Sequence, residues 1–262
     1  MAMMCDDAPL LVAHDLTRYY GPRVGCDGIE LTVHAGEVVA VVGESGSGKS
    51  TLLQLLSLQQ PSLRGSIRYR MRNGETRDLA TLNDAERRLL MRTDWGYVAQ
   101  DAETGLRMHI SAGGNVGERL MGLGWRHYGN IRQEALSWLD RVEIARDRID
   151  DPPEAFSGGM RQRLVIAKNL VTRPRLMFMD EPTGGLDVSV QARLLDLLRG
   201  LVADLSLAVI LVTHDLAVAR LLSHRIMVMR HGRVIETGLS DQVLDDPREP
   251  YTQLLVSSVL QV

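Results

Sequence analysis

The apolar run Val38-Val39-Ala40-Val41-Val42 leads directly into Gly43-Glu44-Ser45-Gly46-Ser47-Gly48-Lys49-Ser50, and a helical pattern follows from Lys49 to Leu58. The middle segment fits GxxxxGK[ST], and it constrains the fold more than any other feature of the chain. A β-branched run without polar alternation reads as a strand buried on both faces, hence one of a parallel sheet. The Gly-rich turn lets successive backbone N–H groups converge without steric conflict, and the following helix N-terminus adds its dipole. Such a loop binds phosphate. Lys49 is placed to reach β- and γ-phosphates and the Ser50 hydroxyl to bind Mg²⁺, with Gly43, Ser45, Gly46, Gly48 and Thr51 completing the expected binding set.

Two further apolar runs, Leu176 to Met179 and Leu207 to Val212, alternate with helical patterns at Val188 to Asp204 and Leu216 to Leu222. That alternation predicts an α/β fold with a mostly parallel sheet. Asp187 is expected to cap the helix it precedes. Residues 9–35 and 64–72 alternate like exposed antiparallel strands, and Arg68-Tyr69-Arg70-Met71-Arg72 is expected to lie along one of them. Residues 101–156 read as a helical insertion, with Ile131, Ala135, Leu136, Leu139 and Val142 on one helix face. The whole chain, 1–262, reads as one domain.

The run Leu176-Met177-Phe178-Met179 ends in Asp180-Glu181. Acids there stand at the C-terminal edge of a buried strand, where open α/β sheets bind ligands. Beside a phosphate loop, Asp180 is expected to hold Mg²⁺ through water, and Glu181 to orient and deprotonate an attacking water.

Composition excludes several classes. The net charge of -3 leaves no basic footprint for nucleic acid. Cys5 and Cys26 form no CxxC and have no His at ligand spacing, so neither a disulfide framework nor a zinc site is expected, and a reducing compartment fits. Met1 to Pro9 lacks the apolar core of a secretion signal. No apolar stretch approaches the ~20 residues that span a bilayer, so direct membrane insertion is not expected.

Phe156-Ser157-Gly158-Gly159-Met160-Arg161-Gln162-Arg163, opening a helix to Leu170, resembles the signature of ABC-type ATPases, usually Leu-Ser-Gly-Gly-Gln. Met160 departs from the usual Gln, beyond the phosphate-contacting positions. Ser157, Gly158 and Gly159 make a second anion site at a helix N-terminus. A chain with its own phosphate loop does not need a second one, so this site implies a partner's nucleotide. The resemblance, from Leu10 to Val259, implies a P-loop ATPase core, a homodimer with ATP at its interface, and Mg²⁺. It also implies roles for Gln100 as the glutamine that senses Mg²⁺ and water, and for Asp187, in Gly184-Gly185-Leu186-Asp187, as part of the loop crossing the dimer interface. His214 matches the histidine that contacts the γ-phosphate, and Tyr20 the adenine-stacking aromatic, with Tyr19 in reserve.

Within this family, Asp245 to Thr252 looks like the closing region of oligopeptide-importer ATPases, which usually continue further. Ser111 to Met121, Arg126-His127-Tyr128-Gly129, Leu254 to Gln261 and the unbroken run Phe178 to Leu201 resemble the K-subunit family of the bacterial carbon–phosphorus lyase system. That likeness implies a cytoplasmic ATPase working with the lyase core subunits and a second ABC-type subunit during phosphonate breakdown. The alternative is the nucleotide-binding subunit of an oligopeptide or nickel importer. A DNA-repair or translation ABC protein is disfavoured by the short insertion, the single ATPase unit and the negative charge. Gly105 to Met121 is the expected docking segment. Gly113 and Gly114 point to a close backbone approach or a sharp turn, and Met108, Ile110, Val116 and Leu120 offer apolar contacts.

Overall fold

The computed structural model describes residues 8–259. Cys5, the Met1 to Asp7 part of the N-terminal segment and the last residues of Leu254 to Gln261 lie outside them. The chain order is β1 (Leu11–Tyr20), β2 (Arg23–Val33), β3 (Val38–Val42), α1 (Lys49–Leu56), β4 (Arg64–Arg70) and β5 (Thr76–Asp78). Next come α2 (Asp84–Thr93), β6 (Trp95–Val98), α3 (Ala112–Gly122), α4 (Tyr128–Arg141), α5 (Gly158–Leu170), β7 (Leu176–Asp180) and α6 (Val188–Leu205). The last elements are β8 (Ala208–Val212), α7 (Leu216–Leu222), β9 (Arg225–Arg230), β10 (Arg233–Leu239), α8 (Ser240–Asp245) and α9 (Pro250–Val259). They form two compact units, one of residues up to 84 together with 208 onward, the other of 85–207.

In the first unit β1 and β2 pair as an antiparallel hairpin, and β4 and β5 continue the sheet in the order β2-β1-β4-β5. The expected exposed strand at 68–72 is corrected in part: it ends at Arg70, and Tyr69 is fully buried. A second sheet runs β10-β9-β3-β8, with β3 parallel to both β8 and β9. Every residue of β3 and of β8 is buried, which explains why neither run alternates. Each aliphatic side chain so buried stabilises by roughly 1.5–3 kcal/mol before entropy is counted.

In the second unit β6 pairs parallel with β7, Trp95 opposite Leu176 and Val98 opposite Met179. Helix α3 packs on α4 and α5, and α5 lies against β6. Ile131, Ala135, Leu139 and Val142 are buried as expected, but Trp138 is buried as well and Leu136 is only half-buried. The indole, with the exposed Arg141 guanidinium 4.9 Å over its ring, widens the apolar stripe beyond the aliphatic positions. Gly113 and Gly114 form no sharp turn; both lie in the first turn of α3. A Cβ on Gly113 would stand 2.6 Å from Ile149 Cγ1, so what crowds this glycine first is a side chain rather than the expected backbone, whose nearest atom, Ile149 O, lies at 3.3 Å.

Candidate functional site

The first unit builds the phosphate loop. Strand β3 delivers the chain at Gly43, and α1 begins after Gly48. Gly43 and Gly48 have φ of 147° and 108°, and a Cβ on either would collide with a backbone oxygen, of Met229 and Gly25 respectively. Only glycine fits both the torsion and the space. Glu44, Ser45, Gly46 and Ser50 are exposed and Thr51 is half-buried. The Lys49 side chain is buried along the loop, and its Nζ donates to Gly43 O and Glu44 O, each at 2.8 Å. Ser47 Oγ is buried without a hydrogen-bond partner, a loop hydroxyl that sequence reasoning passed over.

Three other predicted residues belong to this unit. Tyr20 is partly exposed, its ring lies under the Arg18 guanidinium at 5.2 Å, and its hydroxyl donates to Gln60 Oε1. Tyr19 instead donates to Asp27 Oδ1 at 2.7 Å, which raises the phenol pKa and, with Arg233, lowers that of the Asp27 carboxyl. The Tyr19 hydroxyl is thus engaged in that cluster. His214 is exposed just beyond β8, where Thr213 N–H bonds Val41 O at 3.1 Å and Asp215 caps α7. Other histidines are structural: His224 accepts from Val38 N–H, and His127 caps α4.

The second unit brings the remaining candidates to strand ends and helix starts. Asp180 ends β7, and Glu181 follows with φ of 45°. A left-handed backbone costs a non-glycine residue on the order of 1 kcal/mol or more. Gly184 N–H closes that turn on Glu181 O at 2.9 Å. Gln100 lies just past β6, and its Nε2 donates to Glu181 Oε2 at 3.4 Å. Ser157 caps α5 by accepting Met160 N–H at 3.3 Å, which leaves its own proton free to donate. A Cβ on Gly159 would meet Val190 Cγ1 at 2.5 Å, so α5 and α6 approach there as only glycine allows. One expectation fails in detail: Asp187 occupies the N-cap position of α6 but makes no side-chain cap hydrogen bond. The carboxylate is exposed instead.

Sequence reasoning also missed the polar wiring behind Gln100. Arg119, mostly buried, donates to Trp95 O at 2.8 Å, Met91 O at 3.2 Å and Asn169 Oδ1 at 3.0 Å. Asn169 Oδ1 also accepts Tyr97 N–H at 3.1 Å, joining α3, α5 and β6. Arg161 of the signature helix reaches Glu103, in the turn after Gln100, at 2.6 Å. A lone Asn or Arg within an apolar helix stripe was the only signal. The docking expectation is corrected for two residues: Val116 and Leu120 are buried within the unit, leaving Ile110 exposed and Met108 half-exposed.

Among the described residues no His/Cys/Asp/Glu cluster could hold a metal by itself, and no helix is long and apolar enough to cross a membrane.

The sequence pattern of the ABC transporter family matches residues 26–184. The chain belongs to that family and is an ATP-binding ATPase of the ABC type. It is 60% identical, over 97% of its length and 98% of the relative's, to the putative phosphonates utilization ATP-binding protein PhnK of Escherichia coli. A putative peptide import ATP-binding protein of Brucella ovis is 39% identical over 90% of this chain and 72% of that one. Among solved structures, cbiO1 of Clostridium perfringens, part of an ABC transporter complex, superposes with a TM-score of 0.80 at 26% identity, covering 98% of this chain and 96% of that one. The dimeric cassette MJ0796 bound to ADP and Pi superposes with a TM-score of 0.76 at 28% identity, covering 88% of this chain and 98% of that one.

Proposed function

We propose that the chain works as a cytoplasmic homodimer with ATP at its interface, and that its hydrolysis cycle drives conformational change in the soluble carbon–phosphorus lyase complex during phosphonate breakdown. The observation that carries this reading is the 60% identity, across nearly the full length of both chains, to a relative named for phosphonate use. The dimeric state of MJ0796 supports the homodimer.

Each side chain then has a task. Lys49 faces the β- and γ-phosphates, Gly43, Ser45, Gly46, Gly48, Ser50 and Thr51 supply loop donors, and Tyr20 stacks on adenine. Ser50, Gln100 and Asp180 offer hydroxyl, carboxamide and carboxylate oxygens, a donor set that suits Mg²⁺. A Mg²⁺ held there supplies positive charge against the phosphate oxygens. Glu181 takes the proton of the attacking water, Gln100 orients that water, and His214 contacts the γ-phosphate. Ser157, Gly158, Gly159 and Asp187 serve the nucleotide of the partner subunit, because a helix N-terminus with free amides stabilises anionic oxygens.

The test is which proteins copurify with the natively expressed chain. Soluble lyase core subunits and a second ABC-type subunit, recovered without detergent, are expected. Integral-membrane permeases would instead favour the importer reading, which the 39% identity to a peptide-import relative keeps in view.

A further inference from the structure

The closing region Asp245 to Thr252 lies outside the family match at 26–184, and the functions above make no use of it. In the structure it reaches the phosphate loop. The Tyr251 hydroxyl, on α9, accepts Glu44 N–H at 3.1 Å. Glu44 O is in turn held by Lys49 Nζ at 2.8 Å, so the two peptides flanking Glu44 are tied to α9 on one side and to Lys49 on the other.

Tyr251 is itself well held. It is 8% exposed and packs in a cluster with Val42, the last residue before Gly43, and with Ile226 and Val228 of β9. The Arg230 guanidinium lies 4.7 Å over its ring. The start of α9 is fixed by Glu236, whose carboxylate accepts Arg248 N–H at 2.9 Å and Glu249 N–H at 3.1 Å. Burial pushes the Glu236 carboxyl up, but the two amide hydrogen bonds from Arg248 and Glu249, with the Arg248 charge beside them, outweigh it and hold the group below its ordinary value. The acceptor that anchors the helix is therefore charged at neutral pH.

We propose that Tyr251 is a positioning residue for nucleotide binding: from α9, through the Glu44 amide, it holds the first turn of the phosphate loop in its binding conformation. The proposal rests on the reading that this loop binds the nucleotide phosphates. A pre-organised loop binds ground state and transition state alike, so the loss of Tyr251 Oη raises KM and leaves kcat nearly unchanged.

The experiment compares Tyr251→Phe with the unaltered chain. Phenylalanine keeps the ring, its packing and its place beneath Arg230, and removes only the acceptor. One neutral hydrogen bond predicts a rise of about threefold to tenfold in the Kd for ADP and in the KM for ATP, with kcat within about twofold. Val256→Ala serves as the structural control, since Val256 packs α9 on the same core and its side chain carries no hydrogen-bonding group. It should lower Tm while leaving Kd and KM unchanged. Unchanged ADP affinity in Tyr251→Phe, or an equal loss in Val256→Ala, would overturn the proposal. Lys49→Ala separates the two levels: its loss of ADP binding beside an unaffected Tyr251→Phe sinks only the role of Tyr251, whereas retained ADP binding by Lys49→Ala sinks the loop reading and this proposal together.

Discussion

Gln100 Nε2 stands 3.4 Å from Glu181 Oε2, each residue just past the end of one of two paired parallel strands, β6 and β7. The pairing register helps to set this distance, because Val98 lies opposite Met179 and the two strands end within one residue of the same level. A carboxylate and a carboxamide so placed can share one water, the amide orienting what the carboxylate deprotonates.

If each nucleotide is shared between protomers, two inactive variants should complement each other. A protomer with Lys49→Ala mixed with one carrying Ser157→Arg can assemble one doubly damaged and one intact site. ATPase activity of the mixture should exceed that of either parent. No recovery, with heterodimers demonstrated by differential tagging, would speak against the shared site.

Arg119→Ala should destabilise the second unit. The change removes the hydrogen bonds that the guanidinium gives the carbonyls of Trp95 and Met91 and Asn169 Oδ1, and hydrogen bonds to a charged group contribute about 1.5–3 kcal/mol each. Urea unfolding should show a loss of roughly 2 kcal/mol or more. A change below about 0.5 kcal/mol would mean that water replaces the guanidinium there.

Burial pushes the Cys26 thiol up to about 12. The thiolate is the reactive form, so near neutral pH Cys26 stays protonated and inert. Iodoacetamide at pH 8 should leave Cys26 unmodified in the native chain and alkylate it after denaturation, as read by peptide mass spectrometry. Rapid native labelling would contradict the burial.

The phosphate loop, the buried strands and the Asp180-Glu181 strand end were legible in the sequence because each is a local pattern: fixed spacing, absent alternation, glycines where backbones crowd. The signature was legible only by resemblance, since a serine before two glycines at a helix start has many uses. What stayed hidden is tertiary. Nothing local distinguishes the hydroxyl of Tyr251 from any other, and its partner Glu44 is 207 residues away. Periodicity placed Val116 and Leu120 on an apolar face but could not say that the unit's own core covers it. Asp187 has the right residue type for a cap, yet the choice between capping and solvent depends on how the preceding loop aims its side chain.

The proposed function turns on Glu181 acting as the base in ATP hydrolysis between two protomers. The direct measurement is steady-state ATP turnover of Glu181→Gln, beside sizing in ATP and Mg²⁺. A positioned base contributes ~10²–10⁴ in rate, so turnover should fall by that range while ATP still binds and a stable dimer accumulates. Turnover close to that of the unaltered chain, with no nucleotide-dependent dimer, would contradict it.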